Sequence, residues 1–169
     1  NSVLHGHAGD LATPVQYRNY VAQARLGADA EMHEGFFRDM LVDIDEPTLA
    51  FGVQDVHGDG SAVVDSQLTL DTALALRLRE QARRLGISVA SLAHQAWAQV
   101  LAQISGRDEV VFGTVLLGRM QGGEGADRAL GVFINTLPLR IDVDAGVLDA
   151  VRATHARLTA LLGHEHASL

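Results

Sequence analysis

The sequence predicts an α/β protein in which helices pack on a sheet, and three observations lead to this class. Apolar residues recur at helical spacing in five segments of the chain. Three further segments have strand patterns: one alternates, one is nearly continuous and apolar, and one carries a polar pair among apolar neighbours. With 169 residues and a hydrophobic fraction of 47%, the chain can bury one core. The predicted order is helix, helix, strand, helix, helix, strand, strand, helix, without an internal repeat.

Two helices are predicted at the start of the chain. Pro14 suits the first turn of a helix that runs to about Leu26 and stops at Gly27. Asp29 can cap a second helix, which ends before Asp45-Glu46-Pro47. The residues predicted on its apolar face are Met32, Phe36, Phe37 and Met40.

A strand and a helix pair are predicted in the middle of the chain. Apolar residues on even positions between Ala62 and Leu70 indicate a half-buried strand. Asp71 or Thr72 caps the third helix, which Gly86 ends, and Ser88 begins the fourth, which Gly106 ends. The apolar positions are Leu74, Leu78, Ala82 and Leu85 in the third helix, and Leu92, Ala96, Trp97, Val100, Leu101 and Ile104 in the fourth.

Two strands and a helix complete the prediction. Residues 109–117 form a nearly continuous apolar run, which is typical of a strand covered on both faces. A glycine-rich loop at 122–125 separates it from a strand at 132–143. The last helix begins near Ala145. Its apolar positions are Val147, Val151, Leu158, Leu161 and Leu162.

The composition excludes several functions. The chain contains neither lysine nor cysteine, so it has no Schiff-base lysine, no phosphate-loop lysine, no thiol nucleophile and no disulfide. Its net charge is −8 with dispersed arginines, which argues against a nucleic-acid groove. Because no apolar run has the length of a membrane span, we expect no membrane association and a cytoplasmic protein, of bacterial origin. The start at Asn1, without a methionine, leads us to expect a piece of a longer protein.

Histidines raise the question of a metal site. Two pairs have alternating spacing, His5 with His7 and His164 with His166. On a helix, alternate positions diverge by about 200°, and neither pair has a third ligand in register. We therefore expect solvated or helix-terminal histidines and no metal.

The last predicted strand carries a polar pair, Asn135 and Thr136, among apolar neighbours. Buried polar groups need partners, which makes the pair a candidate for function. The other interpretation is a bulge or strand end that bonds its own backbone, because Pro138 can interrupt the ladder. The residues alone leave both interpretations open.

Four motifs of the sequence together resemble those of one known family. Residues 131–140, Gly-Val-Phe-Ile-Asn-Thr-Leu-Pro-Leu-Arg, resemble the Gly-x-Phe-(Val/Ile)-Asn-Thr-x-x-x-Arg motif of condensation domains from nonribosomal peptide synthetases. Residues 105–114 resemble the family's Ser-Gly-Arg-Asp-Asp-Val-Val-Phe-Gly-Thr segment, and Gly118-Arg119 occupies the place of a Gly-Arg pair. Residues 14–20 are similar to its Tyr-x-Asp-Tyr helix, with Asn19 in the aspartate position.

The resemblance implies a chloramphenicol acetyltransferase-like fold with a mixed sheet, in which two lobes enclose a tunnel. It implies residues 1–28 as the end of the first lobe and residues 29–169 as the second lobe, incomplete at its end. It also implies amide-bond formation between a donor and an acceptor thioester. Both arrive on phosphopantetheine arms of donor and acceptor peptidyl carrier proteins, with adenylation domains as neighbours, and no cofactor is bound directly.

The family's reaction centre, His-His-x-x-x-Asp-Gly, is absent, because the chain contains no adjacent pair of histidines. The resemblance therefore implies no catalytic residue in this chain and an inactive isolated fragment. The residues it assigns to the tunnel or lobe interface are Tyr17, Tyr20, Arg119, Phe133, Asn135, Thr136 and Arg140.

Three alternatives remain beside a peptide-forming domain. Residues 33–47 and 164–169 look like the dual epimerization/condensation branch of the family. The chain could instead be a noncatalytic remnant that docks carrier proteins, or an epimerization or acyltransferase relative of the same fold.

Overall fold

A computed structural model describes residues 16–26, 29–53, 59, 61, 63–118 and 129–167. Five helices and two strands are formed in this part of the chain, with a short 3-10 turn at Ala50–Gly52. The elements are α1 (Tyr17–Leu26), α2 (Ala30–Leu41), α3 (Thr72–Leu85), α4 (Val89–Ser105), β1 (Glu109–Leu117), β2 (Ile134–Asp142) and α5 (Val147–Leu162).

Local sequence signals set most helix ends where we expect them. Asp29 caps α2 by accepting from the Met32 amide, and Asp71, not Thr72, caps α3. Ser88 caps α4. Gly86 and Gly106 end α3 and α4 with φ of 68° and 69°, a left-handed conformation that glycine adopts without steric cost.

The described strands pair antiparallel in continuous register, from Glu109 opposite Asp142 to Leu117 opposite Ile134. Pro138 lies inside β2, opposite Gly113. Of the two interpretations left open, the one with an interruption at this proline is therefore wrong. Side chains alternate between the two faces of a strand, so Asn135 lies on one face of β2 and Thr136 and Arg140 on the other.

The core lies under one face of this sheet. It combines the inner residues of both strands with side chains from three helices: Val110, Leu116, Leu137, Leu139 and Ile141 from the sheet, and Phe37, Leu101 and Leu161 from α2, α4 and α5. On the other face, Val115 and Leu117 are 62% and 60% exposed. The prediction that β1 is covered on both faces is therefore wrong for the described residues.

Helices α4 and α5 meet through polar side chains as well as apolar ones. The Thr154 hydroxyl donates to Gln95 Oε1 at 2.6 Å, and the Ser91 hydroxyl lies 3.0 Å from His155 Nδ1. Ser91 and Gln95 are buried, whereas Trp97 is half exposed. The predicted inner face of α4 is thus partly wrong, because hydrogen bonds to α5 turn a polar stripe inward.

Three further expectations are corrected by the structure. Residues 63–70 form no strand and are exposed, because no described segment pairs with them. In α2, His33 is buried and Met32 is half exposed. In α5, Val147 is 79% exposed.

Some expectations fall outside the described residues. These are Pro14, Gly27, Arg119, the glycine-rich loop at 122–125 and the pair His5 and His7. Within the described part, no helix is long and apolar enough to cross a bilayer.

Candidate functional site

Three aromatic rings bring two distant motifs into contact. Tyr17 and Tyr20 are one turn apart on α1, and their rings stack at 5.5 Å between centroids. Phe133, just before β2, is 2% exposed and lies 5.3 Å from the ring of Tyr17 and 4.4 Å from that of Tyr20. The Tyr17 hydroxyl donates to the Val132 carbonyl. These three residues are called the aromatic cluster below.

Two glycines allow α1 to approach the sheet this closely. A Cβ on Gly131 would overlap the ring of Tyr17. A Cβ on Gly118 would lie 2.5 Å from the Tyr20 hydroxyl and 3.2 Å from the Phe133 carbonyl oxygen. The Gly118 amide also donates to that carbonyl at 2.7 Å. Glycine at both positions is thus a steric requirement of the aromatic cluster.

Asn135 ties the start of β2 to residues 163–167, which follow α5 and are called turn 163–167. Its side-chain amide donates to the carbonyls of Glu165 at 3.0 Å and Ala167 at 2.8 Å. The side-chain oxygen of Asn135, Oδ1, accepts a hydrogen bond from the backbone amide of Thr136 at 2.9 Å. Asn135 therefore has the buried partners that the sequence requires of it, whereas the Thr136 side chain is exposed.

The side chains of turn 163–167 complete the surroundings of Tyr20. His166 Nδ1 lies 3.5 Å from the Tyr20 hydroxyl, and His166 Nε2 lies 3.7 Å from Glu165 Oε1. The Glu165 side chain is fully buried. Burial, reinforced by Tyr17 and Glu165, raises the pKa of Tyr20. The Tyr20 phenol therefore stays protonated near neutral pH and can donate a hydrogen bond.

Arg140 lies at the far end of β2, away from the aromatic cluster. It binds both carboxylate oxygens of Glu109 on β1 and both of Asp43 after α2. It also donates to the Met40 carbonyl at 2.9 Å. These hydrogen bonds lower the pKa of Asp43 and raise that of Arg140. In this structure Arg140 fastens β2 to α2 and β1.

A second contact of turn 163–167 reaches α2. His33 Nδ1 and His164 Nδ1 are 2.7 Å apart, and the His164 ring stacks on Phe36 at 3.8 Å between centroids. Burial, followed by the nearby His33, lowers the pKa of His164. A cavity of about 980 Å³ lies beside this contact. It is lined by residues of α1, α2 and the turn, among them Ala24, Arg25, His33, Phe37, His166 and Ala167.

The structure brings together part of the predicted set. Tyr17, Tyr20 and Phe133 are in contact, and Asn135 joins them through the turn, whereas Arg140 stands apart. His33, Glu165 and His166 were missed. The alternating His164 and His166 were a signal. Both follow the end of α5, in agreement with the helix-terminal interpretation, but they are half-buried rather than solvated. Among the described residues no group of three or more potential metal ligands occurs.

The groups that meet here are aromatic rings and a few polar side chains. The site offers two phenols, a buried aromatic ring and a half-buried imidazole. The nearby side chain of Glu165, in turn 163–167, is fully buried. Such a surface can line and shape a passage for a bound group and can donate hydrogen bonds to it. That the predicted residues line a tunnel remains a prediction.

Comparison with known proteins places these motifs in one family. The family model for the condensation domain matches residues 2–168. Malpinin synthetase and malpibaldin synthetase of Mortierella alpina are each 56% identical over 99% of this chain. A component of the linear gramicidin synthase of Brevibacillus parabrevis is 32% identical over 76% of it. The chain spans only 2% to 3% of the length of these relatives.

Solved structures give the same fold. The first condensation domain of the CDA synthetase superposes with a TM-score of 0.77 at 24% identity, over 98% of this chain and 37% of that chain. Its complex with substrate analogue 2a gives a TM-score of 0.76 at 22% identity, over 98% and 39%. The predicted α/β fold class is confirmed, and the described part of the sheet is antiparallel. The relatives at 56% identity are fungal, which does not support the expected bacterial origin.

Proposed function

Because the chain belongs to the condensation-domain family, we propose that it forms part of a domain that makes amide bonds in a nonribosomal peptide synthetase. In this reaction the amine of an acceptor aminoacyl thioester attacks the carbonyl carbon of a donor thioester. A C–N bond forms, the C–S bond breaks, the donor arm leaves as a thiol, and the amine loses a proton. Both thioesters are carried on phosphopantetheine arms of peptidyl carrier proteins, and adenylation domains are neighbours in the same synthetase.

The observation that carries this proposal is the contact between the Tyr17/Tyr20 helix and Phe133. These segments are more than a hundred residues apart in sequence and correspond to two separate family motifs. The ring of Phe133 lies 5.3 Å from that of Tyr17 and 4.4 Å from that of Tyr20 between centroids, with Gly118 and Gly131 leaving the necessary space. Motifs that pack on each other in this way are expected of a shared site rather than of chance similarity.

In this proposal the chain provides the wall of the substrate passage and not the base. No two histidines are adjacent in its 169 residues, so the family's His-His-x-x-x-Asp-Gly motif would come from elsewhere in the polypeptide. Tyr20, protonated and beside His166, can donate a hydrogen bond to a carbonyl group in the passage. Phe133 and Tyr17 hold Tyr20 in place.

The test is reconstitution of a complete condensation domain that contains this sequence, with donor and acceptor carrier proteins loaded with aminoacyl groups. We expect an amide-linked product on the acceptor carrier, detected by mass spectrometry, and none from the 169-residue chain alone. Phe133→Ala should reduce the rate at least tenfold, because it removes the ring that positions Tyr20. Phe51→Ala is the matched control, since Phe51 is 80% exposed.

Two outcomes would contradict the proposal. If the complete domain binds both carrier proteins but forms no amide, the alternative of a noncatalytic docking remnant is favoured. If the 169-residue chain alone forms the amide, the assignment of the base to another part of the polypeptide is wrong.

A second candidate activity, inversion of the donor residue before condensation, is favoured by one contact. The two segments that resemble the dual epimerization/condensation branch, around His33 and at His164–His166, touch each other through their histidines. In this activity the donor α-proton is removed and a proton is returned to the opposite face. Incorporation of deuterium from solvent at the donor α-carbon, with inverted configuration in the product, would support it. Retention of configuration and of the original hydrogen would exclude it.

A further inference from the structure

We propose that His33 and His164 form a proton-sensitive clasp that holds turn 163–167 against α2 and thereby sets the position of the turn beside Tyr20. The clasp is independent of the reaction proposed above, since it concerns the coupling of three segments of this chain. It joins α2 to the turn, and the turn joins α1 and β2.

The geometry of the pair limits the number of protons that it can carry. The two Nδ1 atoms are 2.7 Å apart, a hydrogen-bond distance at which one nitrogen must donate and the other accept. One doubly protonated ring still satisfies this requirement, because the neutral partner offers its lone pair. When both rings are doubly protonated, both Nδ1 atoms carry hydrogen and both rings are positive. The bond then cannot form, and the like charges repel each other.

The surroundings oppose the second proton. His33 is 9% exposed, and His164 lies against Phe36 and, at 6.0 Å between centroids, Phe37. Burial of this kind disfavours the charged form of an imidazole, and the pKa of His164 is lowered accordingly.

The charged groups around the clasp do not reverse this preference. Arg25 of α1, Glu34 and Arg38 of α2, and His166 of the turn line the same cavity as His33. Glu34 and Arg38 pair with each other, which leaves the positive Arg25. Glu165, the neighbour of His164 in the turn, is 3.7 Å from the His166 ring.

The turn transmits a change at His164 to the aromatic cluster. It is only five residues long, and Asn135 holds it at the carbonyls of Glu165 and Ala167. His166 is two residues beyond His164, and its ring lies 5.3 Å from the ring of Tyr20. If the clasp opens, the turn retains its bonds to Asn135 but loses its anchor on α2. The environment of Tyr20 should then change.

The composition of the chain provides a direct probe of this change. The chain has two tyrosines, Tyr17 and Tyr20, and both lie in the aromatic cluster. Uniform labelling with 3-fluorotyrosine therefore gives two fluorine resonances, which Tyr17→Phe assigns. Lowering the pH from about 7.5 to about 5 spans the range in which histidine titrates. We expect the Tyr20 resonance to shift over this range in the 169-residue chain.

Stability should follow the same titration. A histidine whose folded pKa is lowered stabilises the fold fully above its unfolded value of about 6.5. The contribution is lost as the pH falls from that value toward the lower folded pKa. We therefore expect Tm to fall over the interval in which the Tyr20 resonance moves.

Variants separate the clasp from a general effect of acid. His33→Gln is neutral but can still hydrogen-bond His164, so it should reduce the Tyr20 shift and the pH dependence of Tm. The part that remains is due to burial of His164 and to His166 beside Tyr20. His94→Gln is the control, because His94 is half-buried and lies on α4, away from the clasp, bonded to the Ala90 carbonyl. It should leave the Tyr20 shift unchanged. If His33→Gln is unfolded at neutral pH, His164→Gln replaces it.

Either of two results would overturn the proposal. One is a Tyr20 resonance that does not move in the unsubstituted chain, or that moves equally in the His33→Gln variant. The other is a pKa of His164 that is equal to or higher than the ordinary pKa of histidine. The 13C resonances of labelled imidazoles measure this pKa. Amide synthesis is not measured in these experiments, so their failure would leave the proposed function untouched.

Discussion

The two ends of β2 are held by different chemistry. At its start, β2 is held by uncharged groups. Phe133 packs against two phenol rings, and Asn135 donates to two backbone carbonyls of turn 163–167. At its far end, Arg140 joins two carboxylates, those of Asp43 and Glu109. The start depends on shape and space, whereas the far end depends on charge.

The start of β2 therefore belongs to the candidate site, whereas its far end supports the strand. The start of β2 faces the cluster of motif residues, where glycines and rings must fit closely. The far end fastens the strand to the end of α2 and to β1 through bidentate hydrogen bonds between charged groups, which are strong and directional. Variants at the two ends should therefore differ in size of effect, in salt dependence and in pH dependence.

The largest effect is expected from Arg140→Ala. It removes the hydrogen bonds to Glu109, Asp43 and the Met40 carbonyl, so we expect a loss of about 3 kcal/mol in the free energy of unfolding. Urea denaturation measures this loss, which should shrink as salt is added. Arg38→Ala is the control, because its exposed pair with Glu34 contributes about 0.5 kcal/mol or less. Equal effects of the two variants would contradict the assigned role of Arg140.

Asn135→Ala should have the next largest effect. The carbonyls of Glu165 and Ala167 lose their side-chain donor, and the Thr136 amide loses its acceptor. We expect a loss of about 2 kcal/mol in the same denaturation experiment, independent of salt. Thr136→Ala, at the exposed neighbour, should change stability by less than about 0.5 kcal/mol. A salt-dependent loss at Asn135 would remove the distinction between the two ends.

A pair of glycine variants tests the role of space. Gly118→Ala puts a methyl group against Tyr20 and the Phe133 carbonyl, and we expect it to cost about 1–2 kcal/mol. Gly35→Ala, within α2, meets no atom within 4 Å and should stabilise the chain by about 0.5–1 kcal/mol through helix propensity. Thermal unfolding should therefore show a lower Tm for Gly118→Ala and a higher Tm for Gly35→Ala. A neutral Gly118→Ala would mean that the approach of α1 is looser than the structure indicates.

The smallest effect is expected from Asp43→Asn, and it should appear in the dependence of Tm on pH at acid pH. The Arg140 hydrogen bond lowers the pKa of Asp43 in the folded state. The carboxylate therefore stabilises the fold above its unfolded pKa of about 3.9, and this contribution disappears as the pH falls through the lower folded pKa. Asp43→Asn should flatten Tm against pH in that interval. Asp39→Asn, one turn earlier, is a control that should retain the slope.

Local chemistry explains which elements could be predicted from the sequence. The ends of α3 and α4 follow from Asp71, Ser88, Gly86 and Gly106, because capping depends on residues within one turn. Composition likewise excludes lysine and cysteine chemistry without reference to the fold. The family motifs identified Tyr17, Tyr20, Phe133 and Asn135 before their contacts were known.

Failures arose where a residue's environment is set by distant parts of the chain. Apolar residues alternate at 62–70, apart from Ser66, as they do in a strand. A strand needs a partner, however, and none of the described segments pairs with residues 63–70. Trp97 looks like a core residue by helical spacing, yet Gln95 and Ser91 point inward because α5 offers them Thr154 and His155. Pro138 sits inside β2 without interrupting its register.

The sequence by itself determined the start of α2, both ends of α3 and α4, the α/β class, the chemical exclusions and, through four motifs, the resemblance to condensation domains. Tertiary structure alone decided which motif residues meet. It brought Tyr20 to Phe133, separated Arg140 from both, and turned His33 toward His164. The physical reason is that ring contacts, steric space at a glycine and the burial of a histidine are properties of segments far apart in sequence. No local pattern encodes the distance between them.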